Sequence, residues 1–261
     1  MNETQLPDLS KFHQALNRSS TFSFSGRVVQ VVGFTIEAQG LDSQIGELCH
    51  IETLDGPPLL AEVVGFRDER VLLMPLGEMQ GVQFGSRIYP QGTFFQAPVG
   101  VNLMGRVLDG LGNPLDDLGP LVNTETRSTS NNAPHPMNRQ QITNPLVTGV
   151  RAIDGMLTVG KGQRIGIFAG SGVGKSTLLG SIARNSRSDV SVIALVGERG
   201  REVREFVERD LGPEGLKRSV VIVSTSDMPA IVRLKAAWVA TTIAEYYRDQ
   251  GMDVTFLMDS V

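Results

Sequence analysis

Cysteine is nearly absent. Cys49 stands alone in 261 residues, which excludes a disulfide within the chain and a zinc site built from several cysteines, and fits a reducing compartment. Such a residue reads as a small buried hydrophobe. Histidine is scarce too, and His13, His50 and His135 lack any mutual spacing that suggests a metal site. Nor is there an excess of positive charge: 24 Lys and Arg against 28 Asp and Glu give a formal charge of -4, so the chain as a whole does not attract nucleic acid or anionic lipid. No uncharged apolar run approaches the roughly 18 residues of a membrane span, and the opening MNETQLPDLSKF has no apolar core of the kind a secretory signal needs. The expected location is the cytoplasm.

What the chain has is enough apolar residue, 41%, to build a core, and 29 glycines that fall in recognisable turns. Residues 1–20 are a polar lead with one short helical candidate, Leu9 to Leu16. Residues 21–95 carry short β-rich runs, among them Phe24 to Val32, Leu59 to Phe66 and Arg70 to Met74, separated by Gly, Pro and Asp turns. That pattern predicts a small barrel or sandwich. A turn-dense stretch over 96–146, including GRVLDGLGNPLDDLGP and STSNNAPHP, reads as a junction between domains.

From residue 147 to 261 strand and helix alternate. Strands are predicted at Arg164 to Ala169, Val190 to Val196, Ser219 to Ser224 and Val254 to Met258, and helices at Lys175 to Arg184, Glu202 to Leu211 and Ala230 to Asp249. Alternation of this kind predicts a parallel sheet with covering helices. Val203, Phe206, Val207 and Leu211 should line one side of the second helix. Ile231, Leu234, Trp238 and Val239 should form the apolar stripe of the third, with Trp238 in the core.

The chemistry concentrates at AGSGVGKST, between the predicted strand RIGIFA and the helix KSTLLGSIAR. The run Ala169, Gly170, Ser171, Gly172, Val173, Gly174, Lys175, Ser176, Thr177 matches the phosphate-loop pattern G-x-x-x-x-G-K-[ST], except that Ala169 takes the place of the first glycine. The glycines let the backbone curl so that its N–H groups point inward, and the helix adds the positive end of its dipole. Lys175 can reach the β- and γ-phosphates of ATP, and the Ser176 hydroxyl can ligate Mg²⁺. An ordinary turn leaves a lysine at a helix start, where the dipole disfavours cations, without a reason. Asp259, at the carboxyl end of a predicted strand, is the expected magnesium-side carboxylate. Glu198, after Gly197 at the end of another strand, is the candidate for polarising water. Its neighbour Arg199 either steadies the γ-phosphate or Glu198, or is a plain surface residue.

The segments TGVRAIDGMLTVGKGQRIGIFAGSGVGKSTLLGSIAR, VIALVGERGREVREF and SDMPAIVRLKAAWVATTIAEYYRDQGMDVTFLMDS together resemble the flagellar and virulence type III export ATPases, relatives of the catalytic subunit of rotary ATP synthases. GRVVQVVGFTIEAQG, IGELCHI and GRVLDGLGNPLD resemble that family's β-barrel and its junction, and Ala169 itself is the export-ATPase form of the loop. The resemblance implies a small β-barrel followed by part of a RecA-like P-loop ATPase domain. It also implies Mg²⁺-dependent ATP hydrolysis driving protein export, with Lys175, Ser176, Glu198 and Asp259 in the roles above. Further implications are a homo-hexamer at the inner face of the cytoplasmic membrane, chaperone and cargo complexes to unload, and a negative regulator bound through residues 1–20. The family continues beyond the Asp259 strand with further strands and an arginine finger, and one later strand is expected between the loop strand and the Asp259 strand. Two alternatives are a binding module without turnover and a rotary synthase subunit. An RNA-translocating hexamer fits less well, because Phe22, Phe24, Phe34, Phe66, Phe84 and Tyr89 are scattered and not interleaved with basic residues.

Overall fold

The computed structural model describes residues 24–170 and 172–259. The leading segment 1–20, with its helical candidate and His13, lies outside them, as do Phe22 and Ser171. The chain separates into two compact units between Thr93 and Phe94.

The first unit is a closed barrel of six strands, β1 (Gly26–Val32), β2 (Thr35–Gln39), β3 (Glu47–Ile51), β4 (Leu59–Arg67), β5 (Arg70–Pro75) and β6 (Arg87–Phe94), in the order β1-β2-β5-β4-β3-β6. Closure leaves no strand edge free. Along β3 and β5 alternate residues face inward, so Cys49, Ile51, Val71 and Leu73 join Val28, Ile36, Ala61 and Ile88 in one core. Cys49 is the buried hydrophobe expected of it. Gly26 is needed because a Cβ there would stand 2.7 Å from the Leu41 Cβ. The inward-facing carboxylate of Glu47 accepts hydrogen bonds from the main-chain amides of Gln44 and Gly92, each 2.9 Å long.

In the second unit β7 (Gln96–Val99) pairs with β9 (Glu125–Ser128), and β10 (Pro145–Leu146) with β11 (Val159–Gly160). The main sheet is parallel, in the order β14-β12-β13-β8, where β8 is Val107–Asp109, β12 Val190–Val196, β13 Ser219–Ser224 and β14 Val254–Asp259. The stretch read as a junction thus supplies a sheet strand. Arg106, just before β8, grips Asp116 with two guanidinium nitrogens, and Asp109 accepts from the amides of Leu111 and Asn113 to close the following turn.

The helices are α1 (Arg151–Met156), α2 (Lys175–Asn185), α3 (Gly200–Glu205), α4 (Gly212–Lys217) and α5 (Ala230–Asp249). Three expectations need correction. The segment 164–169 is not a strand: it is hydrogen-bonded to no strand of the sheet, Phe168 is 97% exposed, and only Ile167 packs on the core. A strand exists only as a pairing, and β14 pairs on one side alone among the described residues. The helix read over Glu202 to Leu211 is α3 followed by a wide π-type run, Phe206–Leu211, whose looser winding turns both Phe206 and Leu211 into the core against α2. In α5 the buried face runs through Ile231, Val232, Lys235, Val239, Ile243 and Tyr247, leaving Leu234 exposed and Trp238 39% exposed. Lys235, only 2% exposed, shares this face and lies over the rings of Trp238 and Phe95, 4.4 and 5.0 Å from their centroids. Among the described residues no helix is long and apolar enough to cross a membrane.

Candidate active site

The site forms at the carboxyl edge of the parallel sheet, where the strands hand over to loops. Helix α2 enters it N-terminus first. Gly174 caps that helix at φ 95° and Gly172 sits at φ 77°, a left-handed region that side-chain-bearing residues avoid. A Cβ at either would meet nothing within 4 Å, so the requirement is conformational and not one of space. No side chain caps α2, so the free amides of its first turn, Lys175 to Thr177, keep their donor capacity. Leu179, Ile182 and Ala183 bury the helix against the sheet and the π-type run. Gly180 permits the closest approach, since a Cβ there would come within 2.7 Å of the Asp210 carbonyl oxygen.

Two strand ends bring carboxylates to this helix. After β12, Gly197 turns at φ 80° while its amide donates to the Ser224 carbonyl at 2.7 Å. The Glu198 carbonyl then accepts from the Ser226 amide at 3.0 Å, so the backbone on either side of Glu198 is anchored to the end of β13. On β14, Asp259 stands level with Leu195 of β12 and is 4% exposed. The Lys175 ammonium hydrogen-bonds to Asp259 Oδ1 and lies 3.8 Å from Glu198 Oε1. Lys175, Glu198 and Asp259, spread over 84 positions of sequence from the first to the last, therefore meet at one point.

The electrostatics follow from these contacts. The hydrogen bond to Asp259 holds the Lys175 ammonium above its ordinary pKa despite partial burial, with the charges of Asp259 and Glu198 acting in the same sense. Burial pushes the Glu198 carboxyl up, reinforced by a hydrogen bond with Glu202 and by the charge of Asp259, and opposed by Lys175. Glu202 is held below its ordinary range, first by Glu198 and then by Arg199. Arg199 is exposed and binds Glu202 at 3.1 Å. Sequence reasoning missed Glu202, although its place four residues after Glu198, in the first turn of α3, was the available signal. Ala169, Gly170 and Val173 are exposed, Ser176 is half-buried beside Lys175, and Thr177 is exposed on the outer side of the first turn.

Among the described residues there is no group of three or more His, Cys, Asp or Glu suited to a metal. Two hard oxygen donors, Ser176 and Asp259, flank the helix start, and a divalent cation held by so few protein oxygens takes its remaining ligands from phosphate and water, the habit of Mg²⁺. The residues present fit that ion.

A glycine-shaped turn, an uncapped helix start and a lysine between strand-end carboxylates define a phosphate-loop nucleotide-binding unit, which follows the β-barrel in the sequence. The β-barrel domain of the ATP synthase alpha/beta family matches residues 28–92, and that family's nucleotide-binding domain matches residues 149–261. The chain belongs to this family, among its flagellar and type III secretion ATPases. It is 52% identical to the flagellum-specific ATP synthase of Bacillus subtilis, with 94% of this chain and 57% of that protein covered. It is 50% identical to the type 3 secretion system ATPase of Xanthomonas euvesicatoria, over 90% of this chain and 54% of the relative. Among solved structures, the assembled ATPase EscN of the enteropathogenic E. coli type III secretion system superposes with a TM-score of 0.83 at 45% identity, over 90% of this chain and 57% of EscN. The chain thus spans little more than half the length of these relatives.

Proposed function

We propose that this chain binds Mg²⁺ and ATP at Lys175 and that the protein it represents hydrolyses ATP to energise type III protein export. The observation that carries the reading is the meeting of Lys175, Asp259 and Glu198 beside the uncapped start of α2. The amides of Gly172 to Thr177 cradle the phosphates, and Lys175 neutralises their β- and γ-oxygens. Ser176 and Asp259 hold the metal ion. Bound there, Mg²⁺ supplies charge neutralisation across the phosphates. Glu198 orients a water molecule whose oxygen bonds to the γ-phosphorus as the bond to the β–γ bridging oxygen breaks; ADP leaves and Glu198 takes the proton. Its raised pKa makes it a better base than an exposed glutamate. Arg199 anchors Glu202, and through it Glu198.

Relatives support the wider setting. EscN is described as assembled, and also in complex with its central stalk EscO. We extend from these an oligomer, a homo-hexamer by resemblance, working at the cytoplasmic face of the membrane with the export apparatus, chaperone and cargo complexes, and a negative regulator bound through residues 1–20.

Calorimetric titration with Mg·ATP tests the site. Lys175→Ala should weaken binding about 100-fold, or roughly 2.7 kcal/mol, while Glu198→Gln should keep binding and lower phosphate release by about 10²–10⁴-fold. Undiminished affinity in Lys175→Ala would refute the site. Phosphate release by the unaltered protein no faster than by Glu198→Gln, with binding intact, would instead identify a binding module without turnover.

A further inference from the structure

The loop that follows β8 is fixed from within and apolar on its outside. Asp109 accepts from the amides of Leu111 and Asn113 at 2.8 Å each and from the Asn113 side-chain amide at 2.9 Å. Asp116, gripped by Arg106, also accepts from the Val107 and Leu118 amides at 2.8 and 3.2 Å. Gly112 turns at φ 90° against β7, where a Cβ would stand 2.5 Å from the Pro98 Cδ. These contacts order the loop without using its larger apolar side chains. Leu115, Leu118 and Val122 are 55, 68 and 62% exposed, and their sequence neighbours Pro114 and Leu121 join Pro98, Leu111 and Pro120 in lining a groove of about 380 Å³. A single exposed leucine is ordinary, but several on one rigid loop beside an apolar groove mark a contact surface.

The charge around this surface has one sign. Between Val107 and Thr126 stand Asp109, Asp116, Asp117 and Glu125, and no lysine or arginine. Arg106, just before, is committed to Asp116, and Arg127, just after, to Asp249, each at 2.8 Å. Asp117 and Glu125 are exposed and form no ion pair among the described residues. Such a rim repels anionic lipid and nucleic acid. A protein segment that carries lysine or arginine alongside aliphatic side chains is complementary to it. The groove also decides the form of that segment. Pro98, Pro114 and Pro120 have no amide to donate, so the surface offers side chains where an added strand needs a main-chain ladder, and the apolar face of a helix suits it. We propose that the loop after β8 is a docking surface for a basic amphipathic helix of another protein. The helix seats aliphatic side chains in the groove and against Leu115, Leu118 and Val122, while its flanking cations face Asp117 and Glu125. Because the loop is already ordered, docking costs little conformational entropy on this side.

The probe is a fluorescein-labelled synthetic helix with leucines along one face and lysines flanking them, titrated with the unaltered chain and read by fluorescence anisotropy. A scramble of the same composition and the same helix with glutamate in place of lysine are the controls. The lysine helix should bind with a Kd of about 10 µM or tighter, the scramble about tenfold more weakly, and the glutamate helix more weakly still. Leu115→Ser combined with Leu118→Ser should weaken the lysine helix by about tenfold or more, and Asp117→Lys by about three- to fivefold, the latter effect fading as salt rises. Both leucines are exposed, so circular dichroism should show the double variant folded like the unaltered chain. Scramble and helix binding alike, undiminished affinity in the leucine variant, indifference to both Asp117→Lys and salt, or no binding of the helix at all overturns the proposal. Sedimentation that shows the unaltered chain associating with itself, and the leucine variant not doing so, would give the surface to a second copy and overturn it as well.

Discussion

Among the described residues each unit buries two carboxylates, Glu37 and Glu47 in the barrel and Asp210 and Asp259 in the second unit, and of these Glu47 and Asp259 are satisfied in opposite ways. In the barrel, Glu47 points inward and accepts from the amides of Gln44 and Gly92, donors fixed in the main chain that cannot leave without unfolding it. At the sheet edge of the second unit, Asp259 is held by the ammonium of Lys175, the tip of a flexible side chain that can turn to another anion. A carboxylate on immovable donors acts as structure. One on an exchangeable partner is suited to a ligand. Sheet architecture makes the same division, since the barrel closes on itself while β14 is paired only with β12 among the described residues.

The sharpest way to break this comparison is to damage the barrel and watch the other unit. Leu73 is fully buried in the barrel core, and Leu73→Ala should cost about 2–5 kcal/mol through lost transfer energy and the cavity left behind. Trp238, the single tryptophan, lies in the second unit, so its fluorescence isolates that unit. Far-UV circular dichroism should show part of the chain unfolding at lower urea concentration while the Trp238 transition stays where it was. A joint shift of both signals would mean that the units melt as one body.

Next in size is a test of the fixed carboxylate. Glu47→Ala removes the ionised acceptor of the Gln44 and Gly92 amides, and losing these charge-assisted hydrogen bonds should destabilise the barrel by about 1–3 kcal/mol. Affinity for Mg·ATP, measured well below the unfolding transition, should be unaltered. Asp259→Asn is expected to do the reverse, moving nucleotide affinity far more than stability. Equal effects of the two variants on both properties would erase the distinction between structural and exchangeable partners.

What could be read from sequence divides along the same line. Local patterns were sufficient where the local chain decides the outcome. Strands β12 and β13 and helix α5 have the bounds expected from their apolar runs and flanking turns, and the glycines of the phosphate loop announce a backbone that only glycine adopts easily. Lys175, Glu198 and Asp259 were legible as helix-start and strand-end residues serving one site at the carboxyl edge of the sheet, but the strand order that sets their distances, with β12 in parallel register beside β14, was not. RIGIFA has the composition of a strand and lacks a ladder partner, which no local pattern reveals. Leu234 and Trp238 misled for a different reason. The stripe read from Ile231, Leu234, Trp238 and Val239 is overridden by the longer apolar row Val232, Ala236, Val239, Ala240, Ile243 and Tyr247, and Lys235 lies on that buried face with its cation over the Trp238 and Phe95 rings. The turn-rich run around Asp109 hid β8, a strand of only three residues.

The smallest effect expected concerns Cys49, which lies beside Glu47 in sequence register on β3 and shares its surroundings. Burial, aided by the charge of Glu47, pushes the Cys49 thiol from an ordinary 9.0 up to about 12. The folded barrel therefore keeps this proton over a range in which the unfolded chain releases it. Stability contributed by the neutral thiol is fully present below pH 9.0 and declines as pH climbs from there toward 12, since the unfolded state then binds fewer protons than the folded one. Other groups titrate in the same window, so the useful quantity is a difference. Between pH 8 and pH 10 the unaltered chain should lose about 1 kcal/mol more stability than Cys49→Ala, read from urea midpoints of the circular-dichroism transition. Native protein at pH 8 should also resist alkylation by iodoacetamide until urea opens the barrel, because a buried neutral thiol is neither accessible nor nucleophilic. Rapid alkylation without denaturant would show that the barrel opens readily around β3, and the contrast between a closed unit and one built for exchange would then lose its structural half.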